Sequence, residues 1–352
     1  MITHYGYTKT QLTKTSRLTG MLIVTMLLIF PAITKSQDIH WSQFQSSPLN
    51  LNPALSGFFN GDYRFVLNHR NQWKSVSTPY NTFSGSFDMV LNGLSSSRNR
   101  YSGGLLINSD KAGDSELGLL QTALSFGVLR ALGQDSIHFV SAGIQVGYVL
   151  RSINYSGLTF DEQYDGDVYD PSITNTENFT GDNHGYVDIG AGISWLVRAS
   201  DRFKAGAGIS IQHINRPKDS FYDDASTIFP HIQADVKADF PLAGKLDLLP
   251  SVIYMSQGSF NELTGGTSLR IRINDLPGRT YAFYVGAWLR KSDAFIASAG
   301  MDYNNLNVGV SYDFNTSDLE RASNGRGGYE LSLIYIIRKV KPLGIKPPCP
   351  LY

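Results

Sequence analysis

The chain reads as an all-β protein, a single transmembrane antiparallel β-barrel of about 14 strands after a cleaved signal peptide. Three observations predict this. Apolar residues recur at every second position in many short segments, such as Val140, Ala142, Ile144, Val146, Tyr148 and Leu150, or Val187, Ile189, Ala191, Ile193, Trp195 and Val197. Leu263, Gly265, Thr267, Leu269, Ile271 and Ile273 repeat the pattern. A period of two makes one wall apolar and the other polar, and many segments of about ten residues with turns between them are the signature of a membrane barrel. The second observation is a signal-like start. The third is an alternation of short and long connections.

The start comes first in chain order. Lys9, Lys14 and Arg17 precede an apolar stretch from Gly20 to Thr34, and Thr34 and Ser36 suit the −3 and −1 positions of a cleavage site. Residues 1–36 are therefore read as a secretory signal peptide, with Gln37 opening the mature chain. The apolar run falls short of the ~20 residues of a spanning helix. No cysteine follows it, which argues against a lipoprotein, and the single Cys349 has no internal disulfide partner. Barrel closure is a sufficient substitute for disulfides in an exported chain this long.

Residues 37–61 form a mature N-terminal segment, and 62–340 the barrel. The expected strands are, in order, 62–69, 82–91, 101–108, 118–130, 136–150, 185–198, 202–213, 231–241, 246–256, 262–274, 279–290, 293–303, 306–315 and 328–339. Connections after even-numbered strands are mostly short. Those after odd strands are often long: Arg70–Asn81, Ser109–Leu117, Arg151–His184, Ile214–Pro230 and Thr316–Gly327. Short periplasmic turns and longer extracellular loops predict this asymmetry, and an even strand number returns both termini to the periplasm. Residues 341–352 form a periplasmic tail. Glycines inside the strands, Gly143 and Gly192 among them, permit curvature or close approach of interior groups.

Zero formal net charge and a pI near 7.1 argue against a nucleic-acid partner. With charged residues at 17%, the 19 Tyr and 19 Phe suit a lipid-facing band with aromatic girdles, though also a large soluble β protein. The seven histidines form no metal-spaced pair, and no serine-nucleophile elbow or phosphate loop occurs. No cofactor and no catalytic residue is therefore expected. The acidic run in the longest loop, with Asp161, Asp165, Asp167 and Asp170, is a weak candidate for Ca²⁺ because its spacing departs from the EF-hand loop; a solvated or protein-docking loop is the plainer reading. Arg64, Asn68 and Arg70 share the interior face of the first strand, and Asp88 lies on the polar face of the next. Interior arginines call for carboxylate partners in the wall.

The segment Asp38 to Gly57, with Asn52-Pro53-Ala54 and Gly57, resembles the opening of the PorP/SprF family of Bacteroidota outer-membrane proteins. Leu67-Asn68-His69-Arg70-Asn71-Gln72-Trp73 resembles that family's L-N-Y-R-N-Q-W, and Leu158-Thr159-Phe160-Asp161-Glu162-Gln163-Tyr164 its L-T-F-D-D-Q-Y. Asn215 to Phe221, with Pro217 and Ser220, resembles N-Q-P-x-x-S-F. Ala322 to Gly327, with Asn324, Gly325, Arg326 and Gly327, resembles the final-loop motif, and Cys349-Pro350 the terminal C-P-R-F. Ser47 and Leu351-Tyr352 depart from the pattern.

The resemblance implies a component of the type IX secretion system or gliding machinery that supports export or surface anchoring of an adhesin-type partner. It implies as partners a secreted surface protein with a type IX sorting domain, periplasmic or outer-membrane type IX components, and the lipid bilayer. On this reading the long loops hold the secreted protein, while the N-terminal segment and C-terminal tail face periplasmic partners. A passive outer-membrane channel or small-molecule transporter is the alternative.

Overall fold

The structure, a computed structural model, describes residues 38–338 apart from 75–77, 97, 134–136, 156–157, 165, 171, 174–180, 222–225, 275–279 and 318–319. The expected signal peptide, the C-terminal tail and Cys349-Pro350 lie outside the described residues, as does Asp165. No helix among the described residues is long and apolar enough to cross a membrane.

Fourteen strands close into one antiparallel barrel in sequence order. They are β1 (Tyr63–Gln72), β2 (Tyr80–Val90), β3 (Asn99–Ala112), β4 (Leu117–Leu132), β5 (His138–Ser152), β6 (Asn183–Arg198), β7 (Lys204–Gln212), β8 (His231–Ala243), β9 (Leu246–Gln257), β10 (Phe260–Asn274), β11 (Tyr281–Arg290), β12 (Ala294–Tyr303), β13 (Leu306–Asn315) and β14 (Arg326–Ile337). β1 pairs with β14 over its full length, from Tyr63 opposite Ile337 to Gln72 opposite Gly328, so no edge is left open.

The predicted alternation sets the two faces. Ile144, Val146 and Tyr148 are exposed on the outer wall, while Gln145 and Ser141 between and below them are buried in the lumen. Aromatic pairs ring both ends. Tyr63 stacks on Phe87, Phe203 meets Phe240 and Tyr281 meets Tyr303 at the short-turn end; Trp73 meets Tyr80 and Phe295 meets Phe314 at the other. Two such belts about an apolar band match the two interfaces of a bilayer.

Two sequence expectations change. Residues 70–72 are not loop but continue β1, because each finds a ladder partner on both β2 and β14. Ser109–Leu117 is not a long loop either: Ser109–Ala112 pair with Leu117–Leu120, leaving the tight turn 113–116. The length asymmetry therefore rests chiefly on connections 153–182, 213–230 and 316–325.

The outer face yields one prediction. Ile144→Arg, near the middle of β5, should cost about 2–4 kcal/mol of barrel stability in phospholipid vesicles, read by denaturant titration. No loss of stability would show that this face is not in lipid.

Candidate functional site

The lumen is occupied by the chain itself. Between Asp38 and Gly57 the backbone makes three short helical turns, Phe44–Ser46, Pro48–Leu51 and Pro53–Leu55. The two prolines open the second and third turns, where a missing N–H costs nothing. Trp41, Phe44, Leu49, Leu51, Ala54 and Leu55 are all buried. Phe44, Leu51 and Leu55 pack on Ile253 and Met255 of β9, and Leu49 on Leu106 and Ala123 of β3 and β4. Phe44 meets the Trp288 ring edge-on at 6.0 Å. The plug is thus an apolar core inside a mostly polar lumen. It starts at the long-loop end, where Asp38 touches His213 and His231, and descends to the short-turn end, where Gly57 approaches the start of β1. The expectation that the N-terminal segment faces periplasmic partners is corrected for residues 38–57: they fill the barrel, because their apolar side chains pack on the apolar inward residues of the wall.

Polar contacts hold the plug in register. Glu330 of β14 accepts the backbone N–H groups of Ser42 (2.8 Å) and Gln43 (3.0 Å). Ser42 Oγ donates to Asp313 Oδ2 at 2.7 Å and accepts from Arg290 at 2.7 Å. Arg70 pairs with Asp313 at 3.0 Å and donates to the carbonyl of His40. Two guanidinium groups and the carboxylates of Glu262, Asp313 and Glu330 therefore form one buried network around residues 40–43. Charges taken from water need such mutual satisfaction.

Lower down, Asn52 accepts from Ala54 N at 2.9 Å and donates to the carbonyls of Ile193 and Ile209, bridging plug to wall. Pro53 lies against Gly143, where a Cβ would collide with the Pro53 carbonyl. Gly57 has φ +63° and sits on Ser102, so both its backbone angle and its lack of a side chain are used. Its N–H donates to Asp88 at 2.7 Å; Arg64 pairs with the same carboxylate at 2.8 Å and donates to the Leu55 carbonyl at 2.9 Å. The expected pairing of an interior arginine with a wall carboxylate is thus present as Arg64 with Asp88, and it grips the end of the plug.

The first residue of the plug is clasped at the opposite end. His213, just past β7 and at φ +56°, holds Asp188 through Nδ1 (2.7 Å) and Asp38 through Nε2 (2.6 Å). His231 Nδ1 lies 3.1 Å from the same Asp38 oxygen. Two carboxylates on both ring nitrogens require His213 to donate twice, as imidazolium. Burial opposes that charge, but Asp38 and Asp188 outweigh it and raise the His213 pKa to about 10. Burial pushes the Asp38 carboxyl up, yet the His213 and His231 contacts hold it well below the usual carboxylate range.

The remaining signature residues fall in three places. Asn68 and Arg70 face the lumen, and Asn68 donates to the Ser46 carbonyl at 3.4 Å. Asn71, Gln72 and Trp73 meet the final-loop motif at the seam: Gln72 opposes Gly328, and the Gly327 carbonyl accepts the Trp73 N–H at 3.4 Å. Asn324 and Gly325 both take positive φ to reverse the chain before Arg326 opens β14. Phe160 and Asp161 open a single turn in the 153–182 loop. Pro217 is buried in the neighbouring loop, four residues after His213 and three before Ser220. The 213–230 loop is tied to the strands that carry the 153–182 loop, Arg151 of β5 to Asp219 (3.3 Å) and His184 Nε2 of β6 to the Lys218 carbonyl (2.9 Å). Asp161, Asp167 and Asp170 do not converge. Asp170 binds Ser172 instead, which lowers its pKa, and no group of three metal-binding side chains occurs among the described residues.

Sequence reasoning missed Asp313, Glu330 and Arg290, and the apolar lumen patch. A signal for the patch existed: Val252-Ile253-Tyr254-Met255 is apolar at every position, as a strand buried on both faces should be.

The sequence profile of the family described as type IX secretion system membrane protein PorP/SprF matches residues 33–335. The chain belongs to that family. Among curated proteins no significant match is found. Among solved structures it is similar to the Ralstonia pickettii toluene transporter TbuX, at TM-score 0.52 and 10% identity, over 84% of this chain and 94% of that one. The Pseudomonas putida toluene transporter TodX aligns at TM-score 0.47 and 10% identity over 82% and 93%. A Pseudomonas aeruginosa FadL homologue aligns at TM-score 0.47 and 9% identity over 82% and 94%. At such identities the TbuX match reports the barrel fold alone. A membrane barrel of the PorP/SprF secretion family places the chain with outer-membrane proteins.

Two outcomes are expected of this PorP/SprF barrel. Asp88→Ala strands the Arg64 charge and orphans the Gly57 N–H, and should lower the unfolding free energy by about 3–5 kcal/mol in a denaturant titration. Second, a histidine whose pKa is raised on folding stabilises fully below its ordinary 6.5, and that contribution is lost as pH climbs through about 10. A spin label on Ile39→Cys, in a Cys349→Ser background, should become mobile near that pH; with His213→Gln added it should be mobile already at neutral pH.

Proposed function

We propose that this PorP/SprF protein is a non-enzymatic, plugged barrel that supports export or surface anchoring of a secreted adhesin-type protein bearing a type IX sorting domain. The observation that carries the reading is the plug: residues 38–57 use the lumen for their own packing and ion pairs, as suits a scaffold with working ends rather than a wide aqueous pore. The long-loop end faces outward on this reading. The neighbouring loops 153–182 and 213–230 are its docking platform, presenting Tyr164, Val168 and Tyr169 on a rigid wall. The short-turn end, where β1 begins and β14 ends, faces periplasmic type IX components.

A second reading, passage of a small molecule, is favoured by one feature. A cavity of about 250 Å³ lies between Ser42–Ser46 and the wall strands β9–β14. One detergent pull-down of a tagged copy from outer membranes tests the first reading, and planar-bilayer conductance of the same preparation tests the second. The scaffold predicts a co-purified protein with a type IX sorting domain, or type IX components, and a closed baseline that opens when residues 38–57 are deleted. A solitary barrel with steady conductance of the intact chain would reverse the choice.

A further inference from the structure

The two ends of the barrel carry opposite charge, and the short-turn mouth has more positive groups than its own carboxylates neutralise. Asp247, at the start of β9 and fully buried, receives three guanidinium groups: Arg202 Nε at 2.9 Å, Arg270 Nε at 2.9 Å and Arg272 Nε at 2.6 Å. Arg270 is shared with Asp239 at 3.1 Å. Lys204 and Lys237 stand on the same stretch of wall, Lys204 directly opposite Asp239 and Lys237 two residues before it. Neither lysine belongs to the Asp247 cluster. Five cationic side chains thus face three carboxylates: Asp239, Asp247 and Asp235, which lies two residues before Lys237 on the same face. All five cations are partly open to solvent. The far rim is the reverse, with Asp161, Glu162, Asp167 and Asp182 exposed in the 153–182 loop.

We infer that this mouth is a receptor for an acidic polypeptide segment of a partner protein. Three features choose a polypeptide over a lipid headgroup. Lys204, Lys237 and Arg270 alternate with the outward-facing Val236, Leu269 and Ile271, so they point to the barrel axis rather than to the bilayer rim. Arg270 is the ladder partner of Tyr284, and Tyr284 lines the cavity beside the plug. That cavity also reaches Asn307, the second residue of β13 and so close to the same mouth. Clustered arginines and lysines at a concave end recognise acidic motifs and raise the association rate of acidic partners, while the acidic far rim repels the same segment. The assignment rests on the reading that the short-turn end faces type IX components.

The test uses the purified full mature chain in uncharged detergent, and so does not depend on whether a type IX partner is recovered from membranes. A fluorescent short poly-glutamate peptide is titrated against the parent and against the Lys204→Gln/Lys237→Gln double variant, with poly-lysine and inorganic phosphate as comparators. These lysines lie outside the Asp247 cluster, and heat-modifiable electrophoretic mobility verifies that the variant folds. Saturable poly-glutamate binding is expected, weakened about tenfold in the double variant and weakened by salt, with poly-lysine unbound. Equal binding to parent and variant, or displacement by phosphate at the peptide's own concentration, would overturn the proposal in favour of a general anion effect.

Discussion

The structure depends on the pairing of β1 with β14. In hydrocarbon an unpaired backbone N–H or C=O has no water to turn to, so a sheet that crosses a bilayer must close. Closure here joins strands more than two hundred residues apart in sequence, from Tyr63–Ile337 to Gln72–Gly328. The same seam organises function-bearing residues. Arg70 lies on β1, Glu330 on β14 and Asp313 on the adjacent β13, so closing the barrel also assembles the network that seats residues 40–43.

Closure creates a lumen, and the lumen creates a second problem. Fourteen strands enclose more space than their inward side chains fill on their own. The chain answers with its own N-terminal segment. Apolar residues of that segment cover the apolar inward residues Ile253, Met255 and Leu106, and its backbone amides satisfy carboxylates that a dry interior would otherwise penalise. Gly143 and Gly57 show how tight the fit is, since each is placed where a side chain would strike plug or wall. A plug fastened at its start by His213 and at its end by Arg64 and Asp88 leaves the two rims as the surfaces free for partners.

Much of this was legible in the sequence. Alternation along β5, β6 and β10 set which side chains face lipid, because the period of a strand is a local property. That interior arginines of β1 need carboxylates in the wall was readable, with Asp88 on the next strand as one of them; that Arg64 takes Asp88 while Arg70 takes Asp313 was not. The family motifs were readable as motifs. Their shared purpose was not: Asn52, Pro53 and Gly57 belong to the plug, Asn68 and Arg70 to its walls, and Trp73 with Gly327 to the seam beside it. Strand ends at 72 and 112 were missed because ladder pairing with a neighbour, rather than local pattern, extends them.

The sequence by itself therefore determined the wall: an antiparallel membrane barrel, its lipid face, its strand number and its family. Only the tertiary structure decided the interior. Residues 38–57 have no strand or helix period to announce where they belong, and their partners lie on strands from β1 to β14, with Ser42 and Glu330 separated by 288 positions. Such contacts exist only after the barrel has closed around them. The charge division between the rims is of the same kind, because Arg202, Asp247, Arg270 and Arg272 become neighbours through the register of β8, β9 and β10 rather than through proximity in the chain.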